Sequence, residues 1–103
     1  MPFITMLTLT EHHGDGKKLA RLHIARRYVE EASENISGFL RGETMLSADD
    51  PAKVLVMCTW ENKQAYQNWL DSPIRDKQTI DLLRLVSADA TTASFESVHA
   101  VIK

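Results

Sequence analysis

Residues Val54 to Trp60, VLVMCTW, are the segment that most restricts how this chain can fold. Side chains on a strand alternate between two faces, so Val54, Val56, Cys58 and Trp60 share one side while Leu55, Met57 and Thr59 share the other. Both sets are largely apolar, and β-branched and aromatic residues favour a strand. A strand apolar on both faces needs cover on both. Directly after Trp60 the apolar spacing becomes helical, with Ala65 and Tyr66 followed by Trp69 and Leu70. Trp60 is thus expected at a strand end beside a helix start, a corner suited to a pocket.

The other elements follow from the same periodicities. Phe3 to Thr10 alternates as a strand, with Phe3, Thr5, Leu7 and Leu9 on one face and Ile4, Met6, Thr8 and Thr10 on the other. His12-His13-Gly14-Asp15-Gly16 is a glycine-punctuated loop. Lys17 to Glu34 is expected as one long helix. Leu19, Leu22, Ala25, Val29 and Ala32 form its main stripe, and Ala20, Ile24 and Tyr28 a narrower one that either faces a neighbour or ligand or is partly exposed. Gly38 to Leu46 is a second strand, joined to Val54–Trp60 through the Asp49-Asp50-Pro51 turn. Asn62 is a good N-cap for the next helix. That helix is interrupted at Asp71-Ser72-Pro73, because a residue preceding proline resists the α region. A further helix starts there with Ser72 as N-cap and Pro73 in the first turn, and its apolar side is expected to hold Ile74, Ile80, Leu83 and Val86. Ser87 to Thr92 is expected as a connector and Thr92 to Ile102 as the last strand.

The order strand, helix, strand, strand, helix, strand predicts an α+β, ferredoxin-like βαββαβ arrangement, a four-stranded antiparallel sheet with helices on one face. The helices leave the Leu55/Met57 side uncovered. A second copy of the chain, sheet against sheet, is the economical cover, so a homodimer is expected.

Composition narrows the function classes. The 103 residues are expected to form a single domain over 1–103, and a net charge of −2 gives no electrostatic reason to expect nucleic acid or an anionic membrane as partner. No apolar run reaches the ~20 residues of a membrane helix, and the N-terminal MPFITMLTLTEHH lacks the features of a signal peptide. The single cysteine, Cys58, fits a reduced, cytoplasmic protein. Gly14-Asp15-Gly16 lacks the spacing of a phosphate loop, and the first and third strands lack the aromatic and basic platform of RNA-binding sheets. No metal site is expected: His12 and His13 have no third ligand at metal spacing. His23, at the rim of the Leu19/Leu22 stripe, is the best candidate for a base. His99 is expected in the last strand, on the same side as Phe95 and Val101. Arg41 and Arg75 could bind an anion or simply be solvated.

Gly38-Phe39, the strand ending in Trp60, the run Glu61-Asn62-Lys63-Gln64-Ala65-Tyr66, and Trp69-Leu70-Asp71-Ser72 with Ile74 following together resemble the antibiotic biosynthesis monooxygenase family. The resemblance implies the dimeric α+β barrel fold and a pocket between sheet and helices, with Thr5, Phe39, Trp60 and Ile74 as substrate-binding positions. In the family's cofactor-free branch, a reduced aromatic of the quinol or polyketide kind reacts directly with dioxygen. The six-residue spacing of Trp60 and Tyr66 resembles that branch's pocket residues, and with His23 these are the candidate catalytic residues. The stretch TWENKQAYQNWLDS is also similar to the heme-degrading branch, so heme is the alternative cofactor. That branch's asparagine and histidine positions fall here on Thr5 and near Thr79. A third alternative is a ligand-binding dimer module without catalysis. Trp60, Tyr66 and Trp69 are each also plausible as plain core residues.

Overall fold

The computed structural model describes residues 2–103. Its elements are β1 (Phe3–Glu11), α1 (Gly16–Ala25), α2 (Tyr28–Asn35), β2 (Phe39–Leu46), β3 (Lys53–Trp60), α3 (Lys63–Leu70), α4 (Pro73–Leu85) and β4 (Ala88–Glu96). The strands make one antiparallel sheet in the order β2-β3-β1-β4, the ferredoxin-like topology that the element order predicts, with the helices on one face. Among the described residues no helix is long and apolar enough to cross a membrane.

The β1–β3 register sets Phe3 opposite Trp60, Thr5 opposite Cys58 and Leu9 opposite Val54. These residues face the helices, where Leu9, Val54, Val56 and Trp60 are buried. Two clusters make up the core. One gathers Leu9, Leu19, Ala20, Val54, Val56 and Val86, and the other Phe3, Ala32, Trp60 and Ala65. The opposite face carries Ile4, Met6, Met45, Leu55 and Met57 half-buried, with Phe95 exposed beside Ile4.

The expected long helix over Lys17–Glu34 is instead two. Arg27 adopts the left-handed region at φ 56°, ending α1 and starting α2. For a residue with a Cβ this costs on the order of 1–3 kcal/mol. The break divides the work of packing: α1 sets Leu19 and Ala20 into the first cluster, while α2 sets Ala32 into the second. Of the expected stripes, Leu19 and Ala32 are buried, Leu22 and Val29 are half-buried, and Ala25 is exposed. From the narrower stripe Ala20 and Tyr28 are buried and Ile24 is exposed.

Asn62 caps α3 by accepting from the Ala65 N–H at 2.9 Å, and Ser72 caps α4 by accepting from Ile74 N–H at 3.2 Å, as the sequence predicts. The apolar side of α4 departs from expectation. Ile80 and Leu83 are 57% and 59% exposed, and Leu82 and Val86 make the core contacts. Charged residues at 75, 76, 77, 81 and 84 surround α4, leaving no wide apolar stripe to fix its orientation.

The last strand also begins earlier than expected. β4 pairs with β1 from Glu11↔Ala88 to Phe3↔Glu96, and Ser97 N–H bonds Pro2 C=O as the final rung. Residues 97–103 lie outside the strands, and His99 is not a strand residue.

Candidate active site

The strand β3 ends on Trp60, and the chain turns within two residues into α3, which begins under the Asn62 cap. The Trp60 side chain is 1% exposed. Its Nε1–H donates to the Thr5 hydroxyl at 3.1 Å. Aromatic rings enclose it: Phe39 edge-on at 5.3 Å, Tyr66 tilted at 5.6 Å and Trp69 stacked at 6.5 Å. Gly38 lets the chain entering β2 pass close to α3, since a Cβ there would meet Ala65 Cβ at 2.4 Å. Trp60 is therefore a core residue and a wall residue at once.

A cavity of about 480 Å³ lies between the sheet and the helices. Thr5, Val56, Cys58 and Trp60 form its floor on the sheet side, with His23, Tyr28 and Val29 from α1 and α2, Tyr66 and Trp69 from α3, and Arg75, Gln78 and Leu82 from α4. The walls are mainly apolar with a few polar groups, the usual character of a small-molecule site.

Of the residues singled out from the sequence, Thr5, Trp60, Tyr66 and His23 border this one cavity. Phe39 does not line it; its ring stands behind Trp60 and faces a separate hollow between α2 and β2. Ile74 also lies outside, in a groove with Arg26, Tyr28 and Asp81. Arg75 borders the cavity, whereas Arg41 is exposed and paired with Glu43. Thr79 reaches the cavity edge, but its hydroxyl donates back to the Arg75 carbonyl at 3.1 Å. His12 bonds Ser87 Oγ and lies 3.0 Å from Asp89, and His13 packs against Glu11. Neither lines the cavity, though Asp89, the partner of His12, does. Among the described residues no group of His, Cys, Asp or Glu could hold a metal ion.

The protonation states follow from burial. Desolvation pushes His23 down to about 4, partly opposed by Glu30, so the imidazole is neutral at pH 7. Its Nδ1 is buried and finds no hydrogen-bond partner among the described residues. Burial raises Tyr66, partly opposed by Arg75, and pushes the Cys58 thiol up to about 11. Cys58 is therefore a thiol, not a thiolate nucleophile.

Two residues escaped sequence reasoning. Asp81 accepts from Arg26 through two hydrogen bonds and from the Tyr28 hydroxyl at 2.5 Å. Gln78 Nε2 donates to the Tyr28 carbonyl at 2.9 Å and to Glu31 at 3.1 Å. Together they fasten α4 to α2 over the cavity. Polar residues on a charged helix carry no periodic signal that would have found them.

A model of the antibiotic biosynthesis monooxygenase family matches residues 3–77. Several solved structures share the fold. The cofactor-independent oxygenase SnoaB of Streptomyces nogalater superposes with a TM-score of 0.77 at 16% identity, covering 99% of this chain and 98% of that one. A monooxygenase of Streptomyces coelicolor, in complex with nanaomycin D, gives 0.72 at 19% identity over 98% and 91% of the two chains. A heme-degrading protein of Mycobacterium tuberculosis gives 0.67 at 24% identity over 98% and 99%. No curated protein matches the sequence.

Proposed function

The chain belongs to the antibiotic biosynthesis monooxygenase family, and from that premise we propose that it is a cofactor-independent monooxygenase acting on a reduced aromatic compound, quinol- or polyketide-like, with dioxygen. The observation that carries this reading is the convergence of Thr5, Trp60, Tyr66 and His23 on one largely apolar cavity. SnoaB, which shares the fold, is described as a cofactor-independent oxygenase.

The chemistry asks little of the protein. A phenolic or enolic hydroxyl loses its proton, and the electron-rich anion reacts with dioxygen. One oxygen atom ends as a new carbonyl on the ring and the other leaves as water. The cavity must hold the ring, ease formation of the anion and exclude solvent. Trp60 has spent its only donor on Thr5, so it offers a ligand its ring face and not a hydrogen bond. Tyr66, kept protonated by burial, is a donor for the developing oxyanion, and Arg75 adds positive charge at the same wall. His23 is the base: its imidazole, neutral at pH 7, gains a proton more readily once an anion forms beside it.

Heme is the alternative raised by the similarity to the heme-degrading branch, and the residues present do not fit it in that manner. Thr79 carries no nitrogen ligand and bonds its own helix. Cys58 is held as a thiol by burial and does not replace that ligand.

A homodimer belongs to the same proposal. Ile4, Met6, Leu55 and Met57 form an apolar sheet face opposite the helices, and a second copy covers it to complete an α+β barrel.

The test incubates anaerobic anthrone and naphthohydroquinones with the protein, admits air and follows quinone formation and incorporation of ¹⁸O from ¹⁸O₂. Faster oxidation than in buffer, lost in Trp60→Ala, is expected. Equal rates with and without protein across the panel would overturn the reading, and a hemin-induced Soret shift abolished in His23→Ala would favour heme instead.

A further inference from the structure

The arginines around the helices differ in how they are engaged. Arg26, Arg27 and Arg41 each hydrogen-bond a carboxylate, on Asp81, Glu34 and Glu43 in turn. Arg75 does not. Its ion pair is with the adjoining Asp76, at 3.9 Å and with that carboxylate 70% exposed. Contacts beyond about 3.5 Å are not hydrogen bonds. Among the described residues the guanidinium therefore keeps its whole fork of N–H donors free.

That fork stands at the main cavity. Arg75 borders it together with Tyr66, and its charge opposes the rise that burial gives the Tyr66 phenol. The Tyr66 ring in turn lies 5.6 Å from that of Trp60. Arg75 also sits in the first turn of α4, where the helix dipole adds positive potential. No cavity group neutralises it. Burial keeps His23 neutral and Cys58 a thiol. Asp89, the one carboxylate bordering the cavity among the described residues, lies 3.0 Å from His12 and makes no ion pair with Arg75.

We infer that Arg75 is a specificity-determining residue and that the ligand of this cavity is an aromatic carboxylate, its acid group on the guanidinium and its ring against Trp60. The inference rests on the proposed oxygenase reading and narrows its substrate class to reduced aromatics that carry an acid. A planar guanidinium pairs a carboxylate through two parallel N–H···O bonds. The Arg75 side chain is 45% exposed, so the pair forms at the mouth without the full desolvation cost of a buried one. One free cation matches a monoanion. The second charge of a phosphate would find no cation on this wall and would meet Asp89. The carboxylate is a different group from the reacting hydroxyl, which Tyr66 and His23 serve.

The test measures binding alone. The protein is titrated with 2-naphthoate and with its neutral methyl ester by calorimetry, and the Trp60 indole N–H resonance is followed by NMR to place both in the cavity. Wild type is compared with Arg75→Met, which keeps the stem and removes the charge, Arg75→Lys, and Lys77→Met, a control on α4 that faces the outer groove. Wild type and Lys77→Met are expected to bind the acid about tenfold more tightly than the ester, the effect of hydrogen bonds to a charged group. Arg75→Met should lose that preference while its affinity for the ester stays within about twofold of wild type, and Arg75→Lys should fall between, because an ammonium carries the charge without the fork. Equal affinity of the wild type for acid and ester, binding of neither included, would overturn the inference, as would a preference that survives in Arg75→Met. Neither compound is oxidised, so failure of the quinols to react would end the oxygenase reading without altering this result, and loss of the acid preference would leave neutral quinols as substrates.

Discussion

The indole Nε1–H of Trp60 donates to Thr5 Oγ1 at 3.1 Å, bridging β3 and β1 at a fully buried corner of the cavity. The bond fixes the orientation of the ring that Phe39, Tyr66 and Trp69 surround.

Replacing Thr5 by valine keeps the shape and strands the indole donor. A buried unpaired donor costs ~1–3 kcal/mol. Urea unfolding of Thr5→Val is expected to show a loss of that size, and Thr5→Ser, which retains the hydroxyl, a smaller one. Equal stability of Thr5→Val and wild type would mean the bond does not hold the ring.

His23 makes stability pH-dependent. Its folded pKa of about 4 lies below the unfolded value of 6.5, so between these the unfolded chain binds more protons. Stability is therefore expected to rise with pH in this window and to fall as pH drops from 6.5 toward 4. The full difference is about 3 kcal/mol at 1.36 kcal/mol per unit. Denaturation of wild type and His23→Gln at pH 7 and pH 4.5 checks it: the drop should shrink in the variant.

Asp81 holds α4 through Arg26 and Tyr28. The two hydrogen-bonded partners keep its carboxyl well down, at about 2, so the clamp is charged throughout the neutral range. Asp81→Ala is expected to let α4 open more often, because Leu82 and Val86 are its main remaining anchors. Limited trypsin digestion should cleave faster at Arg75, Lys77 and Arg84 than in wild type.

Gly42 lies where β2 passes under α2. A Cβ there would come within 2.4 Å of Val29 Cγ1 and 2.9 Å of Phe39 Cζ. Gly42→Ala is expected to destabilise by about 1–3 kcal/mol, the usual cost of overpacking, measured by thermal or urea unfolding.

The outer sheet face tests the proposed dimer. Met57→Glu places a charge among Met6, Leu55 and Met45 while leaving the helix-facing core untouched. Sedimentation should show a dimeric wild type and a monomeric variant; a monomeric wild type would refute the dimer.

Much of the site was legible because it rests on local rules. The alternation in β3 puts Trp60 on the helix-facing side, the Asn62 and Ser72 caps place α3 and α4, and Thr5 shares the parity of Phe3 and Leu9. The positions misplaced were those set by distant partners. Ile74 turns away from the cavity because the Asp81 and Gln78 contacts fix the rotation of α4, and Phe39 turns its ring behind Trp60.

The sequence by itself determined the element order, the two-faced character of β3 and the corner at Trp60, since periodicity and capping are written in neighbouring residues. Only the tertiary structure decided the break at Arg27, the end of β4 at Glu96 and the sealed, unpaired position of His23. A left-handed arginine is held by what its flanking helices bury, β4 is set by its register against β1, and an imidazole loses its charge to the packing around it.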